Sequence, residues 1–403
     1  MPTSTIELSG HIIDSMMLPR IFDAIMDLGG SFRVEEFRVG QSKDEPSYTR
    51  IALVHDTDDG LHAIVAACQQ QGAVLVAARP VRTESAPRDG VFPDRFYSTG
   101  NQPTQVRAGD AWLEVENIEM DCGIVVEAGR ARCVAVSEVR GGEAVVVGHD
   151  GIRVQPVERA RRREIFGFMT SQVSSEKPKH LVIRELAEAM VEIREQGGRI
   201  CFVGGPAIIH TGAGVHLSAL IAGGWIDVLF AGNAIAAHDI ESQFFGTSLG
   251  IDLRNGLPIE AGHEHHIRAI NRIRAAGSIA AAVEQGILRD GVMYQAVKAG
   301  IEVVLAGSVR DDGPLPDVVT DMVEAQRRMR AALPGVELCI MCASMLHAIA
   351  TGNLLAASVK TVCVDINPAV VTKLADRGSS QTLGLVTDVE SFLRELSECL
   401  ATP

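Results

Sequence analysis

The chain has 403 residues, 46% hydrophobic and 22% charged, which excludes a disordered or low-complexity protein. A single core rarely grows that large, so two or three folded units are expected. The formal net charge of -14 excludes a generally basic nucleic-acid-binding face.

The run Arg159, Arg161, Arg162, Arg163 is local enough to be a solvated face or a linker. No apolar run is long enough to span a bilayer, and the polar start MPTSTIELSG does not read as a secretory leader. Eight cysteines are scattered through the chain, so a cytoplasmic protein with reduced thiols is expected.

Residues 5 to 80 predict strand, helix, strand, strand, helix, strand. Ile6 to Gly10 opens the series. Pro19 to Leu28 has helical spacing (Ile21, Phe22, Ile25, Leu28), and Gly29-Gly30 stops it. Ser31 to Val39 alternates, and Gln41 to Pro46 is a turn. Thr49 to His55, Asp59 to Gln70 and Ala73 to Ala77 read as strand, helix and strand. This order predicts a ferredoxin-like α+β domain over 1–95, in a supporting rather than a ligand-binding role. Residues 81 to 95 are rich in Pro, Arg and Asp, as a linker or surface loop is. Short alternating segments over 96–157, punctuated by Gly141-Gly142 and His149-Asp150-Gly151, predict a small all-β domain.

The pattern changes at Pro178, where a long helix runs to Gln196 and stops at Gly197-Gly198. Apolar runs without alternation follow at 199–204, 226–231, 302–306, 337–341, 361–365 and 382–386. Strands covered on both faces read this way. Helical stretches at 215–222, 234–243, 264–285, 289–299, 315–332, 345–351, 368–376 and 388–400 lie between or beyond them. The alternation predicts an α/β domain over 158–403 with a doubly wound, mostly parallel Rossmann-like sheet.

Such sheets bind ligands at the carboxyl ends of their strands. Five consecutive strand ends carry small or polar residues: Ala231-Gly232-Asn233-Ala234, Ala306 to Gly313, Cys342 to His347, Asp365-Ile366-Asn367 and Thr387-Asp388-Val389. Gly and Ala let backbone approach a phosphate, and helix starts near 233, 344 and 388 offer N–H groups to anions. Asp365 suits a ribose hydroxyl. Taken singly, Asp365, Asn367 and Asp388 suit plain helix caps equally well; recurrence over five strand ends makes the site. The G-x-G-x-x-G fingerprint is missing. Gly212-Ala213-Gly214 is followed by Leu217, and Gly204-Gly205-Pro206 has the wrong spacing. On motif alone a nucleotide and a phosphorylated metabolite fit equally.

No metal site is expected. His263-Glu264-His265-His266 lacks partners at ligand spacing, and Cys339-Ile-Met-Cys342 lies in an apolar strand with no second pair. His210, in a Gly-rich loop, is a candidate polar active-site group or a loop brace. Glu119 or Asp121 would serve a substrate amine, and Cys122 reads as a packed thiol.

Seven segments together resemble one family: FYSTGNQPTQVR (96–107), VENIEMDC (115–122), GGPAIIHTGAG (204–214), LFAGNAIAAHDIE (229–241), GHEHHIRAINRIRAAGSI (262–279), LAGSVRDDGPLPDV (305–318) and MLHAIATGNLL (345–355). The chain resembles the archaeal-type ornithine cyclodeaminases, whose N-terminal region is named for lysine-oxoglutarate reductase/saccharopine dehydrogenase. It is similar to the C-terminal part of cyanobacterial enzymes that join arginine dihydrolase to ornithine cyclodeaminase, without the dihydrolase domain. The resemblance implies an NAD-binding domain similar to deoxyhypusine synthase. It places NAD on Asn233, Ala234, Asp311 or Asp312, Ser344, Met345, Leu346, His347, Asp365, Asp388 and Val389.

The implied reaction turns L-ornithine into L-proline and ammonia through an imine, with hydride taken from the α-carbon and later returned. Asp311, Asp312, His210 and His265 are the candidate catalytic residues. GAGVHLSAL (212–220) and Glu264 depart from the family pattern and bear on substrate choice. The competing readings are an NAD-dependent amino-acid dehydrogenase on the same scaffold and a non-enzymatic sensor of NAD and an amino acid. The small-molecule substrate is expected to be the main partner, with no nucleic acid or membrane, in a homo-oligomer.

Overall fold

Alternate residues of Ser47–Val54 are buried, Ile51 and Leu53 completely, so this stretch is a strand with one face on a core. The computed structural model describes the chain except residues 11, 14–15, 42–44, 77–78, 156–178, 254–256, 258–261, 312, 377–381 and 402–403. The Arg159–Arg163 run, candidate Asp312, the predicted helix start at 178 and the middle of the 41–46 turn lie outside the described residues.

The first elements are β1 (Thr3–Gly10), α1 (Met17–Asp27), β2 (Ser31–Arg38), β3 (Ser47–Val54), α2 (Asp58–Gln70) and β4 (Val74–Leu75). Their antiparallel sheet has the order β2-β3-β1-β4, the expected ferredoxin-like arrangement. Met17, Ile21 and Ile25 of α1 share a core with Leu61, Ile64, Val65 and Cys68 of α2.

A second sheet contains β5 (Arg82–Ser85), β6 (Thr104–Ala108), β7 (Ala111–Glu116), β8 (Gly123–Glu127), β9 (Arg130–Val134), β10 (Ala144–Val147) and β11 (Ile152–Val154). Its order is β11-β6-β7-β9-β8-β10-β5. The stretch expected to be a linker therefore supplies an edge strand, β5, paired antiparallel with β10. All four β5 residues are exposed, so no apolar alternation marked the strand. Gln69 Nε2 donates to the His149 and Ile152 carbonyls at 3.0 and 3.1 Å and ties the two sheets together. Both belong to one compact unit, Met1–Ala160 with Asn353–Ser358; the other unit is Arg161–Gly352 with Val359–Pro403.

The chain continues through α3 (Lys179–Glu195), β12 (Arg199–Gly204), α4 (Ala207–His210), α5 (Gly214–Ala222), β13 (Val228–Gly232) and α6 (Asn233–Phe245). Two short strands follow, β14 (Thr247–Ser248) and β15 (Ile251–Asp252), then α7 (His265–Ala276), α8 (Ile279–Glu284) and α9 (Val292–Ala299). The remaining elements are β16 (Glu302–Ala306), β17 (Val318–Val319), α10 (Met322–Ala332), β18 (Val336–Cys342), α11 (Leu346–Leu354), β19 (Lys360–Asp365), α12 (Pro368–Asp376), β20 (Thr382–Val386) and α13 (Val389–Ala401).

Two predicted helices are shorter than their periodicity suggested. Gly277, at φ 100°, and the Ser278 cap break 264–285 into α7 and α8. The stretch 315–332 becomes helical only at Met322, where the Asp321 carboxylate accepts from Val323 and Glu324 N–H.

All seven strands of the second unit's large sheet are parallel, ordered β17-β16-β13-β12-β18-β19-β20. From β16 to β20 this is the order 3-2-1-4-5-6 of dinucleotide-binding sheets, with its switch point between β12 and β18. There Gly205 N–H donates to the Cys342 carbonyl at 3.0 Å. A Cβ on Gly205 would overlap the Ala343 carbonyl, and Ala343 itself sits at φ 52°.

Gly205→Ala is therefore expected to cost about 2–3 kcal/mol of stability, read by urea denaturation. Wild-type stability in this variant would mean that the two loops are not in contact.

Candidate functional site

α6 begins where β13 ends. On a helix, residues 234, 237/238 and 241 share a face, and here they are Ala234, Ala237, His238 and Glu241. The first three line a pocket of about 450 Å³. Pro206 and His210 close it from the β12 side, Ser308 and Asp311 from the loop after β16, and His266 from α7. Asn233 joins two of these walls: its Nδ2 donates to Asp311 Oδ1 at 3.3 Å, and its Oδ1 accepts from Leu315 N–H at 3.0 Å. The Asp311 carboxylate also accepts from Ser308 N–H at 2.7 Å.

The polar groups around this pocket are ordered by one carboxylate. Glu241 has no exposed surface. It accepts from His238 Nδ1 at 2.8 Å, Thr247 Oγ1 at 2.9 Å, Gly250 N–H at 3.1 Å and Leu249 N–H at 3.2 Å. Burial pushes this carboxyl up, but its bonds from His238, Gly250 and Thr247 outweigh burial and hold it below the usual range.

Hydrogen positions follow from these partners. His238 carries its proton on Nδ1, leaving Nε2 as its basic nitrogen when the ring is neutral. Thr247 donates its only proton to Glu241, so His265 Nδ1, 2.8 Å from Thr247 Oγ1, must donate to it. His210 Nδ1 lies 2.7 Å from Ser248 Oγ, and the His210 and His238 rings are 4.9 Å apart. Burial and the neighbouring His238 lower the His210 pKa, with Glu241 opposing them.

The sequence candidates divide into groups. His210, Asn233, Ala234 and Asp311 meet in the pocket. His265 is not among its lining residues; it stacks on Phe245 at 4.5 Å and braces Thr247, while its neighbour His266 lines the pocket. His347 joins strand ends: it hydrogen-bonds the Ala306 carbonyl, and a Cβ on Gly232 would lie 3.0 Å from its ring. Burial lowers the His347 pKa against the pull of Ala306 and Asp311.

Ser344, Met345, Leu346, Asp365, Asp388 and Val389 stand on the same carboxyl edge of the sheet, at β18, β19 and β20, outside the pocket lining. Asp365 Oδ1 accepts from Asn367 N–H at 2.8 Å and Asp388 Oδ1 from Ser391 N–H at 3.0 Å, the turn and cap roles open to them from the sequence. His238, Glu241 and His266 were not among the catalytic candidates from the sequence, where His266 was weighed only as a metal ligand. The first two follow Ala234 at helical spacing, which was the available signal. Among the described residues no group of three His, Cys, Asp or Glu is placed to hold a metal ion, and no helix is long and apolar enough to cross a membrane.

Residues 184–396 match the Rossmann-fold region of the ArgZ-like arginine dihydrolase C-terminal part, and residues 103–183 match its first region. Residues 3–102 match the LOR/SDH bifunctional enzyme conserved region. The chain is 54% identical over 394 residues to the ornithine cyclodeaminase of Methanopyrus kandleri, covering 97% of this chain and 95% of that protein. The chain belongs to the archaeal-type ornithine cyclodeaminase family.

Two solved structures extend the similarity to longer chains. Apo ArgZ, an arginine dihydrolase of the cyanobacterial ornithine-ammonia cycle, matches with a TM-score of 0.88 at 38% identity, covering 99% of this chain and 58% of that one. AgrE, solved as a ternary complex with ornithine and NAD+, matches with a TM-score of 0.55 at 42% identity, covering 99% of this chain and 57% of that one.

In this family member Asp239, next to His238, faces the other way. Its carboxylate accepts from Val292 and Met293 N–H at 2.9 and 2.8 Å and caps α9. Burial outweighs these bonds and pushes its pKa from 3.8 to about 7. The native state thus holds a proton that the unfolded chain releases, so stability falls as pH rises between those values. Glu241 acts in the opposite sense, below pH 4.5. Asp239→Asn is expected to flatten the decline between pH 5 and pH 7 in urea denaturation; an unchanged slope would assign the decline to another group.

Proposed function

We propose that the chain is an NAD-dependent ornithine cyclodeaminase, converting L-ornithine to L-proline and ammonia in cytoplasmic arginine and ornithine metabolism. The observation that carries this reading is the pocket at the carboxyl edge of the sheet, where Glu241 fixes the tautomer of His238 beside His210, Asn233 and Asp311. Eight unpaired cysteines support the compartment.

The rim residues suit a dinucleotide. The glycine loop at the switch point has no space for a side chain at Gly205. Ser344, Met345 and Leu346 lead into α11, whose first turn offers N–H groups to phosphate. Asp365 suits a ribose hydroxyl. Leu346 and Ile366, 77% and 74% exposed, leave apolar surface for a base. Asn233, Ala234 and His347 approach from the β13 side, and Asp388 and Val389 extend the rim at β20. Bound NAD+ supplies a reversible hydride acceptor at the substrate α-carbon.

The protein's own groups do the rest. Arg310 and Asp311, both on the pocket wall, hold the substrate carboxylate and an ammonium group. His238 accepts a proton from the substrate amine at Nε2, and Glu241 stabilises the imidazolium that results. His210, unprotonated at neutral pH, is the second base and returns protons as ring closure expels ammonia. His265 positions Thr247 and through it Glu241.

Purified protein with NAD+ and L-ornithine is expected to give proline and ammonia in equal amounts with no net NADH; stoichiometric NADH without proline would overturn the reading. His238→Ala should lower kcat by about 10²–10⁴ while NAD+ binding persists. The part of the acid limb of kcat/KM that disappears in His210→Gln should lie below pH 6.5, because burial lowers the His210 pKa. A His210-dependent limb centred above pH 6.5 would remove His210 from this role.

A further inference from the structure

The unit that carries the two N-terminal sheets has a cleft of its own, of about 600 Å³, sharing no residue with the pocket above. Three guanidinium groups line it, from Arg79, Arg82 and Arg95. Three carboxylates line it too: Asp58 and Asp59 in the first turn of α2, and Asp150 after β10. Among the described residues none of these six side chains makes an ion pair or hydrogen bond. Opposite charges that share a cleft attract one another, and here they stand on different elements, the carboxylates of Asp58 and Asp59 on α2 and the Arg82 guanidinium on β5.

The cleft also has apolar surface, from Leu61, Val65, Leu75 and Phe96. His149 lines it as well; its Nδ1 is buried with no partner, and its ring lies edge-on to Tyr97 at 5.6 Å. A purely anionic ligand would meet three carboxylates here, and a purely cationic one three guanidiniums. The complementary ligand carries one charge of each sign close together and an apolar portion. That is a free α-amino acid.

We propose that this cleft is an effector site for an α-amino acid, which places its carboxylate on Arg82 and Arg95 and its ammonium on Asp58 and Asp59. The unit therefore recognises a ligand in addition to supporting the fold.

The test is calorimetric titration of the full-length protein with L-arginine, L-glutamate, L-lysine and L-proline, and with inorganic phosphate as the anion control. At least one amino acid should bind at one per chain. Its affinity should fall about tenfold or more in the Arg82→Ala/Arg95→Ala double variant. Both side chains are exposed and unpaired, so the variant should keep its melting temperature and its turnover of ornithine without added effector. Equal affinity in the double variant, no binding of any amino acid, or binding of phosphate alone would each overturn the proposal. Because the readout is heat of binding, the result stands whatever the ornithine assay shows.

Discussion

A carboxylate removed from water must have its charge met by donors, or the fold cannot hold it ionised. Glu241 meets this requirement with two backbone N–H groups, one hydroxyl and one imidazole. The donors come from three places: its own helix, the β14 strand and the turn after it. Satisfying one buried charge thus fixes where the β14–β15 hairpin sits, and the hairpin in turn brings Ser248 to His210 and Thr247 to His265. The histidines are arranged by the demands of the acid beneath them.

The parallel sheet supplies the complementary constraint. Because chain connections run outward from β12 in both directions, the loops after β12 and β18 leave in opposite senses, yet they still touch at Gly205 and Ala343. His347 then reaches across to Ala306 and Gly232. One side of the switch point holds the polar pocket; the other presents strand ends with exposed apolar side chains. This asymmetry suits a long ligand whose reactive end sits among polar groups and whose remainder lies along an edge.

The parallel sheet was legible because its strands are covered on both faces: 199–204, 302–306 and 382–386 coincide with the observed strands. Strand ends were legible for a related reason, since small and polar residues interrupt apolar runs where backbone meets ligand or turn. Elements without a periodic apolar signal were not. β5 is exposed throughout, and β17 is two residues long. His238 and Glu241 were hidden in a helix whose moment is weak because nearly every face is buried. Only the partners that satisfy them reveal their role. His265 and His266 show the limit of reading adjacent residues: a step of one along a helix turns the side chain by about 100°, so one braces and the other lines the pocket.

The same rotation gives α6 an unusual intolerance. His238 looks into the pocket and Asp239 holds the start of α9. Adding or deleting one codon between Ala234 and Ala237 would swing both away together, unseating a neighbouring helix and dismantling the pocket in a single event. Length variation in natural relatives should therefore fall in the loops that flank this helix, and its reading frame should be fixed even where its individual side chains drift.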